Sequence, residues 1–201
     1  MNVSEIIRLS DLLAELSDVK RATKLPNGEN ESDAHHSFSL ALIAYDICQK
    51  ECPELDLQKV LLFALTHDLL EIVTGDEDTL KYYAAALAAK RQREMEAIPE
   101  FNKLFKAYPS LAQAMHDYDR LDTPEAATIF VLDKACTTWT HFHDQGKHAR
   151  ENRKLTKSQD IEDWADRQRT KMTARLKAQP PKVILDIYED SFKALKGLYV
   201  G

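Results

Sequence analysis

The run from Leu57 to Val73 constrains this chain more than any other segment. Val60-Leu-Leu-Phe-Ala-Leu65, followed by Leu69-Leu70, reads as a helix that is apolar nearly all round. Such a helix is stable only when other elements cover it on every side. Into it are set His67, Asp68 and Glu71. His67 and Glu71 are one turn apart and Asp68 and Glu71 three residues apart, so the trio converges on one side. Burying an unpaired carboxylate costs several kcal/mol. A bound cation offsets that cost. A structural ion pair does so too, but no Lys or Arg occurs between Val60 and Leu80.

The covering elements also read as helices. Ile6, Ile7, Leu9, Leu12, Leu13 and Leu16 give residues 4–17 a helical period. Residues 18–33 are polar around Pro26-Asn27-Gly28 and read as a loop. Ser32 or Asp33 caps a helix that Pro53 ends near Glu51; Asp56 caps the central helix and Gly75 stops it. Residues 77–97 are helical, and Pro99 and Pro109 divide the next stretch into shorter helices. Thr123-Pro124 starts a helix to about Asp144, the stretch from Lys147 to Lys157 reads as a solvated loop, and Ser158 caps a helix over 158–178. Pro180-Pro181 precedes a last helix ending near Gly197. With only 5 glycines, a β-rich or dinucleotide-binding architecture lacks its turns and phosphate loops. The expectation is an all-α single domain over 1–201, with a core over roughly 8–145 and a C-terminal helical extension over 158–198.

Two more core-facing stripes carry ionisable residues. His36 opens the stripe His36, Leu40, Ile43, Ile47, where a lone histidine is usually a satisfied core residue. Asp133 lies midway in Ala126, Ile129, Asp133, Cys136, Thr140, while Lys134 points about 100° away on an ideal helix. His36, His67, Asp68 and Asp133 form a mixed N/O set, which suits Mn, Fe, Co, Ni or Zn better than Ca. No cysteine is placed to complete a closed structural zinc site.

The net charge of -6 and the lack of a basic stripe argue against a nucleic-acid polymer as partner. Small phosphorylated metabolites stay open. Cys48, Cys52 and Cys136, odd in number and without framework spacing, suggest free thiols. No apolar run reaches membrane-spanning length and no signal pattern opens the chain, so a cytoplasmic protein is expected. His141, His143 and His148 read as a surface helix end, and Trp164 and Tyr188 as packing for the C-terminal helices, which can serve dimerisation.

The order His36 … His67-Asp68 … Asp133 resembles the HD-domain phosphohydrolase superfamily. His67-Asp-Leu-Leu-Glu71-Ile-Val-Thr-Gly75-Asp76 is similar to the H-D-x-x-E-x-x-x-G-D run of its YfbR-like 5'-deoxynucleotidase branch. Ser32-Asp-Ala-His-His36-Ser37 resembles that branch's first metal motif, and Asp117-Tyr118-Asp119 with Thr123-Pro124-Glu125-Ala126 and Leu132-Asp133-Lys134 its last. The resemblance implies a helical HD bundle, a divalent metal held by His36, His67, Asp68 and Asp133, and a homo-oligomer, commonly a dimer. It makes Glu71 the residue that orients or deprotonates water, Asp76 a second acid/base group, and Arg21 a phosphate ligand, with Thr79 also at the substrate. Helix capping is the alternative for Asp76 and Thr79, and a loop cation for Arg21. His35 stands where the branch has an acidic residue and is the alternative first ligand; Ala22 stands where it has a tryptophan beside the sugar. The implied reaction is hydrolysis of (deoxy)nucleoside 5'-monophosphates; the alternatives are HD-type triphosphate or pyrophosphate hydrolysis, a phosphodiesterase, or a metal-bound nucleotide sensor.

Overall fold

The computed structural model describes residues 2–78 and 84–199. Helix α1 (Val3–Asp18) opens with a capping box: the Asn2 side chain accepts from Glu5 N at 2.9 Å, and the Glu5 carboxylate accepts from Asn2 N at 2.7 Å. Its predicted stripe divides. Leu12 and Leu16 are buried, while Ile6, Ile7 and Leu13 remain exposed.

The expected loop over 18–33 is instead a small antiparallel hairpin, β1 (Lys20–Lys24) and β2 (Asn30–Ser32). Its strands are too short and too polar to show alternation. The intervening turn forms where Gly28, at φ +88°, returns its N–H to Leu25 O at 2.9 Å.

Helix α2 (Asp33–Glu51) is capped by Ser32, whose hydroxyl accepts from His35 N at 3.2 Å. Helix α3 (Leu57–Thr66) is capped by Asp56. The central helix is shorter than its apolar pattern suggested. After Thr66 the chain tightens into three-residue bonds: Leu69 N to Thr66 O, Glu71 N to Asp68 O, Ile72 N to Leu69 O. A short helix α4 (Glu71–Thr74) follows and stops at Gly75, whose φ of 70° with ψ of 161° only glycine adopts readily. His67 and Asp68 thus sit on a tightened turn rather than in mid-helix.

Helix α5 (Ala84–Leu104) runs through Pro99, which does not divide it, whereas Pro109 opens α6 (Pro109–Arg120) as expected. Helix α7 (Pro124–Trp139) is capped by Thr123 and buried along most of its length. A 3-10 turn (Thr140–Phe142) follows. The expected loop after it contains a further short helix, α8 (Lys147–Arg153). Helix α9 (Ser158–Arg175) starts at Ser158 itself, and its first turn is held by Asp160 accepting from Thr156 N and Lys157 N at 2.8 and 2.9 Å. Helix α10 (Lys182–Gly197) ends where predicted.

Among the described residues, then, the chain is helical apart from one hairpin, which bears out the all-α expectation. No helix there is long and apolar enough to cross a membrane. One apolar cluster joins α2, α3 and α7 to α9 and α10, with Trp164, Tyr188 and Phe192 inside it. A second joins α1, the 67–70 turn, α5 and α6 around stacked Phe101 and Phe105, 4.7 Å apart. Phe63 and Ala64 belong to the first cluster and Leu69 to the second, so the His67-Asp68 turn lies between them.

Candidate metal centre and active site

Three of the four expected metal ligands meet at one point. His36, in the first turns of α2, places Nε2 2.9 Å from Asp133 Oδ1 on α7. The His67 ring lies 5.4 Å from that of His36. The candidate ligand atoms of His36, His67 and Asp133 all fall within 4.8 Å of one another, and all three residues are buried. Two ligands of one ion at about 2.1 Å stand at most about 4.2 Å apart, so small side-chain shifts would close the set. His35, the alternative, is half-exposed, paired with Glu31 at 3.1 Å, and not among the residues whose ligand atoms converge.

The fit to a cation rests on His67. Its Nδ1 meets Ala64 O at 2.9 Å, and that bond requires the proton on Nδ1 and directs the Nε2 lone pair outward. His67 Nε2 is buried and makes no hydrogen bond, although Asp68 Oδ2 lies 3.0 Å away at an angle unfit for one. Burial lowers the His67 pKa, but Asp68 and Asp133 outweigh it and the net direction is up, so a cation and a proton compete for the same atom.

Asp68 adjoins the trio but turns to Arg21 of β1, whose Nη1 lies 3.1 Å from it and 3.3 Å from Asp33. His67 and Arg21 hold the Asp68 carboxyl well below its ordinary range despite burial. Asp133 is likewise held down, chiefly by Lys134, which folds back onto it instead of pointing away as ideal helix geometry predicted. The flexible lysine stem overrides the 100° offset.

A second acidic group abuts the first. Asp33, Glu71 and Asp76 bring carboxylate oxygens within 4.8 Å of one another. Burial and the neighbouring Asp68 and Asp33 push Glu71 well up; burial pushes Asp33 up to about 6 and also raises Asp76. Like charges so close cannot all be ionised in a partly buried site. Gly75 positions Asp76 immediately after α4. Thr79 lies outside the described residues.

Sequence reasoning missed several members. Asp33 was one of two candidate caps; Ser32 takes that role and Asp33 is fully buried in the site. Lys90, from α5, sits 3.7 Å from Glu71 Oε1, and buried Glu31 lies 3.5 Å from Arg21 Nε. The cations lacking near Glu71 in sequence therefore arrive from β1 and α5. The Tyr118 ring stands edge-on to His67, 5.7 Å away. His141 is no surface residue: it is buried, bonded through Nδ1 to the Tyr199 hydroxyl at 2.9 Å and stacked on Trp164. The three cysteines are buried and unbridged.

Arg21, His67, Asp68, Glu71, Asp76 and Asp133 open onto a cavity of about 370 Å³, lined from β1, the 67–78 segment and helices α5, α6, α7 and α9. That volume suits a small metabolite. The HD domain sequence family matches residues 13–175. The chain belongs to the HD-domain family. Membership brings the expectation of a divalent metal, and the orphaned His67 nitrogen beside His36 and Asp133 fits one. Among HD relatives, a 5'-deoxynucleotidase of Pectobacterium atrosepticum is 30% identical over 45% of this chain and 54% of its own length. One of Erwinia tasmaniensis is 27% identical over 63% and 69%. The matches thus span only about half to two thirds of those relatives. In structure, a predicted metal-dependent phosphohydrolase of Magnetospirillum magnetotacticum superposes with a TM-score of 0.71 at 18% identity, covering 98% of this chain and 95% of that one. A Pyrococcus horikoshii protein gives 0.59 at 22%, covering 96% and 99%. At these identities the structural likeness concerns the fold.

Proposed function

We propose that this HD protein is a metal-dependent phosphohydrolase that cleaves the 5'-phosphate of a (deoxy)nucleoside to release inorganic phosphate. The observation that carries the reading is the His67 Nε2 lone pair, buried and unbonded, facing the same cavity as Glu71, Asp76 and Arg21. The names of the curated relatives support a nucleotide substrate.

In this reading His36, His67, Asp68 and Asp133 hold the ion, with Mn, Co, Ni, Fe, Zn or Mg as candidates. When bound, a divalent ion polarises a phosphoryl oxygen and lowers the pKa of water. Arg21 neutralises charge on the phosphate and orients it. Glu71 accepts a proton as the water oxygen bonds to phosphorus; a carboxyl held above its ordinary range is the stronger base once ionised. As the bond from phosphorus to the ester oxygen breaks, Asp76 returns a proton to the leaving alkoxide, and its raised pKa is the direction a donor needs. Thr79 completes the substrate contacts of this proposal.

A single compact domain in a reducing cytoplasm belongs to the same reading, supported by the shared core and the free thiols. So does homodimerisation, supported by the exposed row Phe38, Leu42 and Tyr45 along α2.

The test is phosphate release by metal-stripped protein resupplied with each ion, against nucleoside mono-, di- and triphosphates. Metal-dependent release is expected, falling by roughly two to four orders of magnitude in Glu71→Gln. Tight metal binding with no turnover of any nucleotide would overturn the reading.

A further inference from the structure

Four residues of α9 line the cavity: Trp164, Gln168, Lys171 and Arg175. Their spacing of +4, +3, +4 puts them on one helix face. This face is left unfinished. Trp164 is 2% exposed, yet its Nε1 donor has no partner, and Gln168 Oε1 is also buried without one. Buried donors and acceptors are normally satisfied, so two on one cavity wall point to a ligand that completes them.

The charge on this wall points the same way. Lys171 makes no hydrogen bond or ion pair among the described residues. Arg175 stands 5.1 Å over the face of Phe130 and Lys134 4.8 Å over the same ring. Arg175 shares the one carboxylate of Asp119 with Arg91, and Lys134 is matched by Asp133. No described carboxylate matches Lys171 in this way. Burial pushes its pKa down to about 7, with Lys134 and Arg175 acting in the same direction more strongly than Asp133 opposes them. An anion among these three groups would offset the repulsion. The same cavity is also lined by the carboxylates Asp68, Glu71 and Asp76 of the 67–78 segment.

We propose that the inward face of α9, together with Lys134, binds a second phosphoryl group of the substrate, distinct from the phosphate that is cleaved. This rests on the phosphohydrolase reading of the same cavity and narrows its substrate class to doubly phosphorylated nucleosides. Trp164 Nε1 and Gln168 Oε1 then serve the nucleoside body.

The test compares kcat/KM of the manganese-loaded protein for a deoxynucleoside 5'-monophosphate, the 5'-diphosphate and the 3',5'-bisphosphate. At least one doubly phosphorylated compound is expected to be preferred by roughly tenfold or more, the value of one charge-assisted hydrogen bond. Which one is preferred locates the second group. The preference should fall about tenfold in Lys171→Met and persist in Lys171→Arg. Equal use of all three compounds, or a preference unmoved by Lys171→Met, would overturn the proposal. Calorimetric titration of the same compounds separates the two readings. Binding of a doubly phosphorylated compound that Lys171→Met weakens about tenfold, without phosphate release, would keep the subsite and remove the hydrolase. Phosphate release without preference would do the reverse.

Discussion

His67 and His141 both follow the C-terminal end of a buried helix, α3 and α7, and both are nearly sealed from solvent. Their surroundings finish them differently. His141 gives one nitrogen to the Tyr199 hydroxyl, lies flat against Trp164, and is pushed down to about 4 by burial, with Arg153 adding to it. His67 is likewise hydrogen-bonded through Nδ1, but the carboxylates Asp68 and Asp133 reverse the effect of burial. One histidine sits among aromatic rings of the core; the other sits among carboxylates. Burial alone does not separate structure from function here. The charge around the ring does: the carboxylates Asp68 and Asp133 act on His67, whereas burial and Arg153 act on His141.

The largest test of this contrast replaces the histidine among carboxylates. His67→Gln should cost at least about a thousandfold in metal-dependent phosphate release, several kcal/mol of transition-state stabilisation. The thermal midpoint of the metal-free protein should fall by only about 2–6 °C, the cost of the one hydrogen bond from Nδ1 to Ala64 O. Activity retained within tenfold would break the contrast.

The mirror experiment is His141→Ala. It removes a stacked ring and strands the Tyr199 hydroxyl, so a loss of about 3 kcal/mol is expected, roughly 6–12 °C for a chain of this size. The same residue carries an acid window. Its folded pKa lies below the ordinary 6.5, so the unfolded chain takes up the proton first as pH falls. The contribution is full above about pH 6.5 and lost on descent to about 4, amounting to about 3 kcal/mol. Asp33, raised to about 6, works in the opposite sense over the same range. The measurement is therefore the difference between the unaltered protein and His141→Gln by chemical denaturation from pH 7 to 4. A difference constant across that range would place His141 outside the sealed core.

The two histidines were unequally legible in the sequence for a physical reason. His67 lies in a run whose apolar residues recur on nearly every side, so its burial is expected from the run itself, even though Leu65 stays 46% exposed. His141 lies past the end of the α7 stripe, where its cover comes from Trp164 and Tyr199, far along the chain. The same division holds elsewhere. Caps such as Asp56 and Thr123-Pro124 act within a few residues, and the helix starts they set are where the patterns put them. The hairpin that carries Arg21, the approach of Lys90 to Glu71 and the α9 wall of the cavity depend on contacts between distant segments. The meeting of His36, His67 and Asp133, candidate ligands, was legible because each member interrupts an apolar stripe. Lys134 was misjudged because ideal helix geometry fixes Cβ and not the end of a four-carbon stem.

The smallest expected effect sharpens the contrast within one helical turn. His35 and His36 are adjacent, and their α2 directions differ by about 100°. That offset gives them opposite environments: His35 has a side chain 49% exposed and a bond to Glu31, and His36 one 4% exposed and a contact with Asp133. His35→Ala should change stability by about 1 kcal/mol or less, the range of one hydrogen bond made by a half-exposed side chain, and turnover by about threefold or less. Its measurable trace should instead come through Glu31, which also meets Arg21: a small rise in KM at unchanged kcat. A loss in His35→Ala comparable to that of His67→Gln would move the first ligand to His35, and with it the reading of the whole α2 face.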